Sequence, residues 1–159
     1  DALTNLIKSK QLVCILSGLN GEAEQVVDSN PQLARLFSDP IVLEPFKWDE
    51  SKPETVKEFR TLLAEIEKLL PLRENSNLHR KELAWRIFVA TDGLMAFTMT
   101  LIREATLKAL EHGQEALDES LFAEVFDKEL SPKRRVLQKP FVGEIPEYKL
   151  PDVRRKSVK

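Results

Sequence analysis

With one cysteine, two histidines, one tyrosine and five glycines among 159 residues, the chain has little material for several kinds of chemistry. Cys14 alone forms neither an internal disulfide nor a multi-cysteine metal site, and inside an apolar run it reads as a small buried hydrophobe. His79 and His112 stand in polar surroundings, too isolated for a His–carboxylate–nucleophile set or a metal pair, and read as surface side chains. Neither G-x-x-x-x-G-K-[ST] nor G-x-G-x-x-G occurs, so no glycine loop is built to cradle a phosphate. No apolar run approaches the roughly 20 residues of a membrane span. No basic-then-apolar leader precedes a small-residue cleavage site, so a secretory signal is not expected and a cytoplasmic location is.

What is present suffices for a core. Hydrophobic residues make up 42% and charged residues 31% of the chain, a balance that folds, at about the size of one domain with room for a tail. The formal net charge of −2 conceals an asymmetry: residues 1–130 carry 15 Lys/Arg against 23 Asp/Glu, and residues 131–159 carry 9 against 3. The body is therefore acidic and the end basic, a pattern that either marks an anionic partner for the end or is simply a solvated tail.

Three regions follow from the pattern. In residues 1–50, QLVCIL (11–16) and IVLEPF (41–46) read as short strands of the parallel, doubly buried type, separated by helices over 22–28 and 31–37, with Pro31 at a helix start. Residues 51–130 read as a helical bundle. Ser51 is placed to cap a helix from near Pro53, and further helices are expected over 77–91, from Leu94 to Gly113, and from Asp118 to the Ser131-Pro132 break. The 3.6-residue spacing puts Phe59, Leu63, Ile66, Phe88, Phe97, Leu101 and Phe122 in its core. Residues 131–159, with four prolines and much charge, read as an extended basic tail. The expected fold class is thus mainly α with two short parallel-type strands. Two such strands make no stable sheet alone. With no initiator Met at its start, the chain is expected to be a fragment whose remaining strands lie elsewhere.

Several stretches taken in order resemble one family. LVCILSGLNGEAEQVVDSNPQLARLFSDPIVLEPFKWDE (12–50) resembles the segment after the Walker B strand of TniB-type AAA+ ATPases, the ATP-dependent regulators of DNA transposition related to TnsC. Gln32-Leu33-Ala34-Arg35-Leu36-Phe37 stands for a Q-L-x-R-R-F signature, and Pro45-Phe46-Lys47-Trp48 for a Pro-Phe-x-Trp element. LLPLRENSNL (69–78) and ATDGLMAFTMTLIREATLKALEHGQEALDESL (90–121) are similar to the family's L-P-L-x-x-x-S-x-L and D-G lid-helix patterns. The resemblance covers roughly residues 11–126 and is specific through order and spacing together. It implies the C-terminal portion of a P-loop AAA+ α/β core plus a helical lid bundle, with Walker A and Walker B upstream of Asp1. ATP and magnesium then belong to the full-length protein, none being expected on this chain alone. The partners implied are DNA, a transposase, a target-selection protein and further copies in a homo-oligomer.

Site residues carry over position by position. Arg35 corresponds to the arginine that reaches a neighbour's γ-phosphate, although Leu36 replaces the second arginine of the pattern. The other reading of Arg35 is a surface partner of Asp28 or Asp39. Ser17 ends the expected buried strand, where open α/β sheets place ligand chemistry, and by resemblance lies near the sensor-one position. A plain Ser-Gly turn accounts for it equally. Gly93 and Leu94 correspond to a sensor-two position that lacks its arginine, leaving the backbone of a helix N-terminus to approach nucleotide or Gly93 to break a helix. Lys133, Arg134 and Arg135 are three adjacent cations suited to non-specific phosphate contact, without the interleaved aromatics that stack bases. The contrasting function, from another class, is an autonomous helical protein-interaction module with no nucleotide role.

Overall fold

A computed structural model describes residues 15–18, 21–37, 41–134 and 139–147, with the backbone alone for Lys133 and Arg134. The chain divides into two compact units, Asp1–Glu44 and Pro45–Lys159.

In the first unit, α1 (Glu22–Asp28) and α2 (Pro31–Ala34) are short and bury no side chain. Asn30 separates them, its side-chain oxygen accepting from the amides of Gln32 (3.0 Å) and Leu33 (3.4 Å) while Pro31 occupies the first helical position. The helix read over 31–37 therefore ends three residues early, in a turn.

The expected strands are not formed. Residues 11–14 lie outside the described residues; Ile15 and Leu16 belong to no strand, and 41–46 runs as irregular extended chain. Among the described residues there is no strand and no sheet, so the fold is helical and the "two short parallel-type strands" reading, with the α/β core drawn from it, is overturned. The physical reason is the absence of a ladder among these residues. Ile41 and Leu43 are each 91% exposed, and apolar side chains hold a strand only against cross-strand neighbours. The end of the same run is drawn elsewhere: Phe46 and Trp48 pack on helices of the second unit.

That second unit is built on α3 (Pro53–Glu67), α4 (Lys81–Thr91), α5 (Met95–His112) and α6 (Glu119–Val125), followed without a break by a π-helical turn, Phe126–Leu130, and by α7 (Ser131–Arg134). Ser131-Pro132 does not close the helix: the Ser131 amide still donates to the Phe126 carbonyl, and helical backbone runs on through Arg134. Nor does Ser51 cap α3: its hydroxyl and amide both go to the Asp49 carboxylate (2.6 and 2.9 Å), and Thr55 accepts the Asp49 amide (3.0 Å). Asp118 does cap α6, accepting from the Leu121 amide at 2.9 Å.

The core joins α3, α4, α5, α6 and the π turn. Phe59, Leu63, Phe88, Leu101 and Phe122 are buried in it, and Ile66 and Phe97 pack against it half-exposed. α3 meets α4, α4 meets α5, and the chain turns through 116° between α4 and α5. No single helix among the described residues is long and apolar enough to cross a membrane.

Between α3 and α4, the LLPLRENSNL stretch is held by polar bonds at its C-terminal end. Glu67, nearly buried, accepts from the amides of Asn77 (2.5 Å) and Leu78 (3.2 Å), while Leu78 is fully buried. The Ser76 hydroxyl accepts the Leu117 amide at 2.8 Å, tying this loop to the one preceding α6. Ser76→Ala leaves that half-buried amide unpaired and is expected to lower stability by about 1–2 kcal/mol. A shift of the urea midpoint at constant slope measures it, and an unchanged midpoint would mean that water replaces the hydroxyl without cost.

Candidate functional site

The densest assembly of sequence signals lies where Pro45–Trp48 meets the turn between α4 and α5. α4 ends at Asp92 in the left-handed region (φ 51°), followed by Gly93 at φ +66°. The Gly93 carbonyl accepts the Phe46 amide at 2.9 Å. A Cβ on Gly93 would stand 2.2 Å from the Phe46 carbonyl oxygen and 2.9 Å from the Phe88 ring, so only glycine permits this approach. The rings follow the backbone: Phe46 lies 5.6 Å from Phe59, and Trp48 lies 5.1 Å from Trp85 and 5.7 Å from Phe88.

A second assembly covers the outer side of α4. Residues 139–147 cross it as a strap. The Arg86 guanidinium, 4% exposed, donates to the carbonyls of Pro140 (2.8 Å) and Gly143 (2.9 Å), and the Trp85 indole N–H donates to that of Pro146 (2.8 Å). Glu82 and Glu119 flank the guanidinium at 3.5 and 3.6 Å; Arg86 Nε, buried beside Glu119, makes no hydrogen bond. Phe141, 5% exposed, stacks on Phe122 at 5.4 Å. Arg86 was not foreseen from sequence, although one cation inside the apolar run AWRIFVA was the available signal; Lys139-Pro140-Phe141 reads from sequence as an anchor for the tail on the bundle or on a partner, and Phe141 docks on the bundle.

Two carboxylates are shifted. Asp49 is held below the usual carboxylate range by the Ser51 hydroxyl and amide, and Glu124 by its bond to Lys108.

The expected site residues fall into separate places. Ser17 is exposed and outside any helix, and Arg35 is exposed at the C-cap of α2, both in the first unit. Gly93 is buried and Leu94 is exposed at the N-cap of α5, its amide donating to Thr91 O at 3.0 Å. The backbone of Lys133 and Arg134 lies on α7, and Arg135 lies outside the described residues. Gly93 and Leu94 share the α4–α5 turn. As a nucleotide or magnesium site that feature fits poorly, because the open side of Gly93 is filled by the Phe46 carbonyl. Among the described residues no three His, Cys, Asp or Glu side chains converge as metal ligands.

No family model matches the chain, and no curated protein matches it.

Proposed function

We propose that the chain is part of an ATP-dependent regulator of DNA transposition, an AAA+ ATPase that assembles on DNA and recruits or activates a transposase, with the helical unit as its lid. The observation that carries the proposal is the docking of Pro45-Phe46-Lys47-Trp48 onto Asp92-Gly93-Leu94. These stretches resemble two motifs of one family, lie nearly fifty residues apart, and meet through a contact that glycine alone allows. The third stretch adds support, since Ser76 and Leu78 of LLPLRENSNL both hold the same bundle together. In this reading ATP phosphates and magnesium are gripped by parts of the protein other than the described residues, and this chain contributes the lid and Arg35. Target-selection protein, transposase, DNA and further copies are the partners.

The test is DNA-stimulated ATP hydrolysis by the longest product of the gene, before and after Arg35→Ala. A finger arginine acts on the transition state of a neighbouring subunit, so turnover is expected to fall by about a thousandfold while nucleotide affinity stays within about twofold. Unchanged turnover assigns Arg35 to the surface. No ATP hydrolysis in the unmutated protein overturns the whole reading.

A second reading, a helical interaction module without nucleotide, is favoured by one observation. Met95, Met99, Leu107 and Leu110, all apolar, are 44–49% exposed along α5.

A further inference from the structure

A cationic groove lies at the opposite end of α4 from the Gly93 turn. It spans about 400 Å³, lies open to solvent, and is lined by Glu50, Pro53, Val56, Lys57, Arg60 and Lys81. Three cations thus face one carboxylate, in a body whose overall charge is negative. Arg60 is preorganised: its Nε donates to the His79 carbonyl at 2.7 Å, which fixes the guanidinium and leaves its two terminal nitrogens for another acceptor. Lys57 is exposed on the same face of α3, one turn before Arg60. Lys81 opens α4 and is bridged to Glu50 at 3.0 Å by a pair whose side chains are 67% and 72% exposed, a link that parts at small cost. Glu54 and Glu58 also stand near Lys57, but they line the adjacent groove beside Phe46 rather than this one.

We propose that this groove binds a phosphate group, with Arg60 as the fixed fork and Lys57 and Lys81 as point charges on either side. A phosphate satisfies the combination because it offers several acceptor oxygens and enough charge to compete with Glu50 for Lys81. Two sources supply that chemistry: a free polyphosphate, and the sugar–phosphate backbone of a nucleic acid. The proposal stands independently of the transposition reading, since it uses only the groove.

The experiment compares the full chain with Lys57→Ala/Lys81→Ala, both exposed positions, and with Lys128→Ala, an exposed cation elsewhere. Tripolyphosphate is titrated by calorimetry and a labelled DNA duplex by anisotropy over a series of salt concentrations. The tail is present in every variant, so its own attraction cancels. The double variant is expected to lose about tenfold in affinity, with the duplex salt slope shallower by about 1–2, and Lys128→Ala to change neither. Loss in the tripolyphosphate arm alone assigns the groove to a free phosphate ligand; loss in the duplex arm assigns it to a nucleic-acid backbone. No binding in either arm, or an equal loss in Lys128→Ala, overturns the proposal, because diffuse attraction would then explain everything observed.

Discussion

Gly93→Ala is expected to destabilise the helical unit by about 2–5 kcal/mol. Roughly 1–2 kcal/mol comes from holding an L-residue in the left-handed region. About 1–3 kcal/mol more comes from overpacking against the Phe46 carbonyl, which is backbone and cannot swing aside. Relief requires Pro45–Trp48 to lift off, and with it the contacts of Phe46 on Phe59 and of Trp48 on Trp85. A double-mutant cycle isolates this mechanism. Phe46→Ala should cost about 3–5 kcal/mol alone and distinctly less once Gly93 is already alanine, since the ring is then partly undocked. Strictly additive losses would show that the two positions fail independently and would remove the observation on which the proposed function rests.

The other large effect is expected at Arg86. Arg86→Ala removes two hydrogen bonds donated by a buried guanidinium, each about 1.5–3 kcal/mol when one partner is charged. It strands the carbonyls of Pro140 and Gly143 and leaves Glu82 and Glu119, each about half exposed, without the cation they flank. Arg86→Lys is expected to rescue only part of this, since an ammonium cannot present the planar fork that reaches both carbonyls. Limited proteolysis reads the local consequence separately from the global one. Cleavage within 139–147 should accelerate in both variants, more in Arg86→Ala, under conditions where the helices remain resistant. Equal cleavage in all three proteins would mean that Phe141 holds the strap without Arg86.

What the sequence disclosed and what it withheld divide along the range of the interactions. Phe59, Leu63, Phe88, Leu101 and Phe122 were legible because an amphipathic helix writes its buried side into a local period. The Asp118 cap was legible for the same local reason. Ile41, Val42 and Leu43 carry strand-forming side chains, but whether they form one is decided by a partner that no local period encodes. Phe46 was read with them, whereas its place is set by a glycine nearly fifty residues on. The site shows the same limit. Gly93 stood out as a helix break, yet only the fold reveals that its missing side chain is replaced by a carbonyl. Arg86 is surrounded by apolar sequence and becomes intelligible only when residues 140–143 arrive. Lys57 and Arg60 belong to one helix and Lys81 to the next, and no local period brings them together.

The strap also imposes an order in time. Its bonds to Arg86 and Trp85 span 54 to 61 residues, so each closes a long loop, while the contacts among successive helices close shorter ones. During synthesis at about 5–20 residues per second, Pro146 leaves the ribosome roughly 3–12 seconds after Trp85. Throughout that interval the indole and guanidinium of α4 face solvent or a chaperone instead of their carbonyls. A nascent bundle halted before residue 139 therefore presents a surface that the folded unit hides, and closure of the strap completes that unit.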